Sequence, residues 1–117
     1  MSLKKNMGSN IDYGTLSKMI YRYNNADEEY WTSIYELEQY VMGKVCISDD
    51  DFIEVIDNML LIKVKQPASK SFLNVKEYLE NNGIAHEYDE LNDNYEELVI
   101  FLEQFPEPKR VGDKNDT

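Results

Sequence analysis

Cys46 and His86 are the one thiol and the one imidazole in the chain, and together they could supply a nucleophile and its general base. No catalytic signature surrounds either of them. Cys46 stands between Val45 and Ile47, the setting of a small core residue. A structural zinc site takes four Cys or His ligands at paired spacings, more than this chain holds. Asp49, Asp50 and Asp51 are consecutive; on a helix successive side chains point about 100° apart, so the three cannot converge on one cation. The stretch 89–97 lacks the alternating acids and central glycine of a calcium loop. The five glycines are scattered at 8, 14, 43, 83 and 112, so no phosphate loop is present. The expectation is a protein with no catalytic residue, no metal ligand and no cofactor.

What the residues do supply is charge in blocks. Of the net −11, residues 1–25 contribute +3, residues 26–60 contribute −9, residues 61–76 contribute +4 and residues 77–105 contribute −9. Such a balance disfavours general binding to nucleic acid and to anionic membranes, and it favours a basic partner by electrostatic steering. The basic segment 63–76, with Lys63, Lys65, Lys70 and Lys76, is the one place where a nucleic acid could be met. No apolar run approaches the ~20 residues of a membrane helix. The first residues have basic groups but no apolar stretch, so no secretory signal is read there and a cytoplasmic location follows by default.

Length and hydrophobic content of 117 residues and 42% support one domain with a real core. The spacing predicts a helix over 13–24, capped by Asp12 or Thr15, with Leu16, Met19, Ile20 and Tyr23 on one face. A second helix opens either at Ser33, through a Ser33–Glu36 capping box, or earlier at Asp27, and stops at Gly43. Its stripe is Tyr30, Ile34, Leu37 and Val41; Trp31, Tyr35 and Met42 lie about 100° round from it. Residues 44–47 are a short β-branched run. Ser48 opens a third helix with Phe52, Val55, Ile56 and Met59 inward and Asp50, Glu54 and Asp57 as an outer ridge. Residues 60–65 alternate as a strand, paired with 44–47 and ended by Pro67. Ser69 or Ser71 caps a fourth helix, with Phe72, Val75 and Leu79 inward, and Gly83 stops it in left-handed conformation. A fifth helix, starting near His86 or after 92–94, reaches Phe105 with Leu91, Tyr95, Leu98, Leu102 and Phe105 inward and Ile100 outward.

The expected fold is therefore mainly α, a compact bundle of four to five short helices with a minor two-stranded β element. The expected organisation is a flexible leader over 1–11, a helical domain over 12–105 and a disordered tail over 106–117. Aromatics beside carboxylates have the chemistry of an interface for a cationic protein. The candidate binding residues are Asp50, Glu54 and Asp57, the anchors Trp31 and Tyr35, and the cluster Asp89, Glu90, Asp93, Glu96 and Glu97. The chain resembles small acidic immunity or inhibitor proteins in size and charge, without a shared motif. The acidic and aromatic residues lead to the expectation of a non-catalytic protein that binds and masks a basic partner, which an immunity protein, an antitoxin or a phage-type inhibitor would fit; a homodimer is compatible with it. The alternative is a winged-helix-like regulator that touches nucleic acid through 63–76.

Overall fold

The computed structural model describes residues 11–92 and 94–108. In chain order they form α1 (Tyr13–Asn24), α2 (Tyr30–Val45), β1 (Phe52–Ile56), β2 (Met59–Lys65), α3 (Lys70–Asn81), β3 (His86–Asn92), β4 (Tyr95–Phe101) and a closing 3₁₀ turn, Leu102–Gln104. The four strands make one antiparallel sheet in the order β1-β2-β4-β3. This is an α+β fold, and the expected helical bundle is overturned by it.

The helices begin and end for local reasons. Asp12 caps α1, its carboxylate accepting from the amides of Gly14 (3.0 Å) and Thr15 (3.4 Å) and from the Thr15 hydroxyl (3.1 Å). The Thr15 hydroxyl and these amides hold the Asp12 carboxyl below its ordinary range. Ser69 caps α3 by accepting from the Phe72 amide at 3.1 Å, and its own hydroxyl donates to the Val45 carbonyl, 2.8 Å away at the end of α2. One buried hydroxyl thereby closes two helix termini. Gly83 takes a φ of +62° and Ile84 folds back to donate to Leu79 O at 3.0 Å, the left-handed stop expected from the sequence. The Ser33–Glu36 box does not form: α2 starts at Tyr30, and the Ser33 hydroxyl lies inside it, donating to Tyr30 O at 2.7 Å.

Residues expected as a third helix are instead half of a hairpin. Phe52–Ile56 pairs with Met59–Lys65, so the partner of β2 on this side is β1 and not 44–47. The turn is Asp57–Asn58, with φ of +52° and +63°, the two left-handed residues of a tight hairpin whose twist matches that of the strands. Asp51 takes no place in a helix turn. Its carboxylate accepts from the amides of Ile47 (2.8 Å), Ser48 (3.1 Å) and Lys65 (2.9 Å), which ties the loop before β1 to the end of β2. Residues expected as a fifth helix form the β3–β4 hairpin. Leu98 is buried in either reading, but Ile100, expected outside, faces the core beside Leu60 of β2.

All the core residues from the strands lie on one face: Ile53 and Val55, Leu60, Ile62 and Val64, Leu98 and Ile100. Against them pack Leu16, Ile20 and Tyr23 of α1, Leu37, Val41 and Val45 of α2, and Phe72, Val75 and Leu79 of α3. The Tyr13 and Tyr78 rings stack at 3.9 Å, joining α1 to α3, and the Tyr40 hydroxyl accepts from the Asp12 amide at 2.9 Å, joining α2 to α1. Ile11 is buried with this core, and Ser17 donates to Pro106 O at 3.3 Å. The rest of the expected leader and residues 109–117 of the expected tail lie outside the described residues.

The helical and the sheet arrangement assign Phe52 and Ile100 opposite environments. In the structure Phe52 is 48% exposed and Ile100 is fully buried. Ile100→Ala should therefore cost about 2–5 kcal/mol, and Phe52→Ala less than about 1 kcal/mol. Urea denaturation midpoints at unchanged slope check this; the reverse order of the two losses would contradict the sheet.

Candidate functional site: the outer face of α2 and β1

α2 buries Ser33, Leu37, Val41 and Val45, a stripe spaced 4-4-4. Trp31, Tyr35, Glu38 and Met42 are spaced 4-3-4 and make a second stripe. Glu38 fixes where that stripe lies, because its carboxylate accepts from the Val55 amide at 2.9 Å. The bond occupies a donor on the outer edge of β1, a position that would otherwise invite strand pairing, and it lays α2 along that edge. Trp31 and Tyr35 remain in water on the same stripe, 77% and 63% exposed. On β1, Phe52 and Ile56 are exposed too, alternating with Glu54. Met42 and Ile47 are exposed as well, while Phe52, Glu54 and Ile56, alternating with buried Ile53 and Val55, stand on the sheet face away from the helices.

The segment after α2 is rich in carboxylates. Asp49 and Asp50 lie in the loop before β1, Glu54 on β1 and Asp57 at the hairpin tip. They no longer form the helical ridge expected from the sequence, since β1 and its turn separate them. Asp50 is partly neutralised by Lys65 at 3.3 Å, whereas Glu54 and Asp57 make no ion pair among the described residues. Arg22 is held by Glu29 (2.8 Å) and Glu36 (2.6 Å), which locks α1 to α2 and keeps this cation off the face.

The second expected cluster lies elsewhere. Asp89 and Glu90 are on β3, at the edge of the sheet opposite β1, and Glu97 is on the inner strand β4, paired across from Asp89. Glu97 stands opposite Lys63 of β2. Glu96 is buried on the core side and accepts from the Tyr88 hydroxyl at 2.7 Å; burial, and then this bond, push the Tyr88 hydroxyl well above its ordinary range. Asp93 lies outside the described residues. In the basic segment, Lys63 lies over the Tyr95 ring (5.2 Å), Lys76 over the Tyr88 ring (4.5 Å), and Lys65 pairs with Asp50.

A feature missed at the sequence level is a cleft of about 460 Å³ where the end of α1, the start of α2, the Asp57–Asn58 turn and the residues after β4 meet. Tyr21, Tyr23 and Tyr30 line it, with Asn58, Glu103 and Glu107. Asn58 organises its base, accepting from the Tyr23 hydroxyl at 2.8 Å and donating to Glu103 Oε2 at 2.9 Å. Its carbonyl accepts from the Leu102 amide at 3.0 Å, and Asn24 donates to Leu102 O at 2.8 Å. Burial, and then the hydrogen bond with Tyr30, push the Tyr23 hydroxyl up to about 12. The tyrosines of α1 and α2 and the carboxylates of Glu103 and Glu107 come from opposite ends of the described chain, a proximity with no local sequence signal.

Cys46 lies in the loop leading to β1, and His86 is on β3 at the other edge of the sheet, where its Nδ1 sits 2.6 Å from Ile84 O. No group of three or more His, Cys, Asp or Glu among the described residues is placed to hold a metal ion. No described helix is long and apolar enough to cross a membrane.

Burial, and then the charge of Asp51, push the Cys46 thiol up to about 11, so at neutral pH it carries almost no thiolate, the reactive form. Alkylation of the folded protein at pH 7.5 should run more than about tenfold slower than for a free thiol of pKa ~8.5, and its rate should climb through pH 9–11. A fast reaction that levels off by pH 8 would contradict this environment. Compared with known proteins, the chain matches no family model, no curated protein and no solved structure.

Proposed function

We propose that this chain is a non-catalytic protein that binds a basic surface of another protein and masks it, in the manner of an immunity protein, an antitoxin or a phage-type inhibitor. The observation that carries this reading is the exposure of Trp31 and Tyr35 on α2, within a segment, 26–60, of net charge −9. Aromatic centres with a polar border are how protein interfaces are built, and Trp and Tyr are the residues that most often dominate their energy. An indole left in water on a helix that already buries a different stripe contributes little to folding.

The charge also selects among partners. A second copy of the chain would bring two −9 segments together, which like-charge repulsion opposes. A cationic partner gains from Glu54 and Asp57 during approach and from Trp31 and Tyr35 once seated, while Glu38 already occupies one backbone donor on the edge of β1. The mode of action is steric and electrostatic cover of the partner's basic site, without chemistry. The regulator reading has less support, because of the four lysines in 63–76 three, Lys63, Lys65 and Lys76, are engaged by the protein's own rings or acids, leaving Lys70 as the one without such a contact among the described residues.

Affinity capture from the source cell, comparing the unmodified chain with a Trp31→Ala/Tyr35→Ala variant, tests this. A basic protein should be recovered with the former and lost with the latter, each truncation weakening binding by about 2–4 kcal/mol while the folded spectrum is unchanged. With that protein in hand, Glu54→Gln/Asp57→Asn should slow association at low salt and flatten its salt dependence. An acidic partner, or capture indifferent to Trp31 and Tyr35, would contradict the reading.

A further inference from the structure

We infer that the cleft between Tyr21, Tyr23, Tyr30, Asn58, Glu103 and Glu107 receives the cationic head of a Lys or Arg side chain projecting from the partner protein. Three tyrosines contribute to its lining; Tyr23 is buried in the core and backs the Tyr30 ring at 5.6 Å, so Tyr21 and Tyr30 offer the accessible ring faces. Aromatic faces attract ammonium and guanidinium groups by their quadrupoles, the more so where water is partly displaced. Glu103 and Glu107 add two carboxylates, and no Lys, Arg or His lines the cleft, so an anion is repelled from it.

The carboxylate of Glu103 is also held in place before any ligand arrives. Asn58 donates to Oε2 while the Tyr23 hydroxyl and the Leu102 amide fix Asn58 itself. Such prior ordering reduces the entropy lost on binding, and Oε1 makes no hydrogen bond among the described residues. A hard metal cation is a poor match, since it needs a shell of oxygen ligands where this cleft offers rings. At about 460 Å³ the space is within the range of small-ligand sites, roughly 300–1,000 Å³, ample for one side chain.

Tyr30 connects the cleft to the face described above, its ring meeting the Trp31 indole edge-on at 5.2 Å. A partner seated on Trp31 thus has the cleft one residue away. The inference rests on the proposed function for the source of the cation, whereas the cleft's preference for cations can be measured without any partner.

The test is an NMR titration of the labelled full chain with N-acetyl-lysine methylamide, N-acetyl-arginine methylamide and the neutral norleucine analogue. A lysine or arginine probe should shift the ring signals of Tyr21, Tyr23 and Tyr30 and the Asn58 side-chain amide saturably, at least about fivefold more tightly than norleucine. Glu103→Gln, which keeps an acceptor for Asn58, should weaken the cationic probes at least about threefold and leave norleucine unmoved. Equal binding of norleucine, or shifts confined to other residues, would overturn the cleft's cation preference. A second arm compares a Lys- and Arg-containing octapeptide with 1,4-diaminobutane; tighter binding of the peptide supports a protein source, and tighter binding of the diamine overturns it. The single-residue titrations involve no partner, so failure of the cleft and failure of the partner reading are told apart.

Discussion

The pairing of β2 with β4 is the interaction on which the rest of the structure depends. Met59–Lys65 and Tyr95–Phe101 run antiparallel through the middle of the sheet, bringing together residues thirty or more apart in sequence. Their inward alternates, Leu60 beside Ile100 and Ile62 beside Leu98, are fully buried and form the floor on which the helices rest. Once the two central strands are in register, β1 and β3 can only add at the edges. A one-residue slip would turn every one of these side chains to the other face, which would remove the floor altogether.

That one-sided floor explains why the outer face of α2 is left open. Each strand gives one set of alternates to the core, and each helix gives one stripe. α2 spends Leu37, Val41 and Val45 on the core and Glu38 on the edge of β1. Trp31 and Tyr35 then have no internal surface left to cover. The same geometry draws the turns at one end of the sheet together, and the cleft beside Tyr30 is the result. Exposure of large aromatics and the organised cleft are consequences of how the chain satisfied its backbone and its core, and they are what a partner would find.

The sequence revealed those elements whose signals are local. α1 has its Asp12 cap and a clean 3-4 spacing, α3 has Ser69 at one end and Gly83 at the other, and β2 alternates without interruption. The hairpins were hidden by coincidence of period. Phe52, Val55, Ile56 and Met59 fit a helix as well as a strand pair, and so do Leu91, Tyr95, Leu98, Leu102 and Phe105. What decided between them was the non-local burial of Ile53 and Ile100 against β2, together with one local signal, the adjacent Asp57 and Asn58, able to take left-handed backbone in a tight turn. The candidate site was legible in part for the same reason. Trp31 and Tyr35 stand off the helical stripe in any reading of α2. Asp50 and Glu96 look free in the sequence, and only the folded chain sets Lys65 beside one and Tyr88 beside the other.

The account stands on Trp31 being in water in the free protein, and Trp31 is the one tryptophan of the chain. Quenching of its fluorescence by acrylamide in the free monomer is the most direct measurement of that. The structure calls for emission typical of solvated indole and a quenching constant close to that of a short tryptophan peptide. A blue-shifted emission that acrylamide barely reaches would mean that Trp31 is covered by the protein itself, and would contradict the proposed binding face.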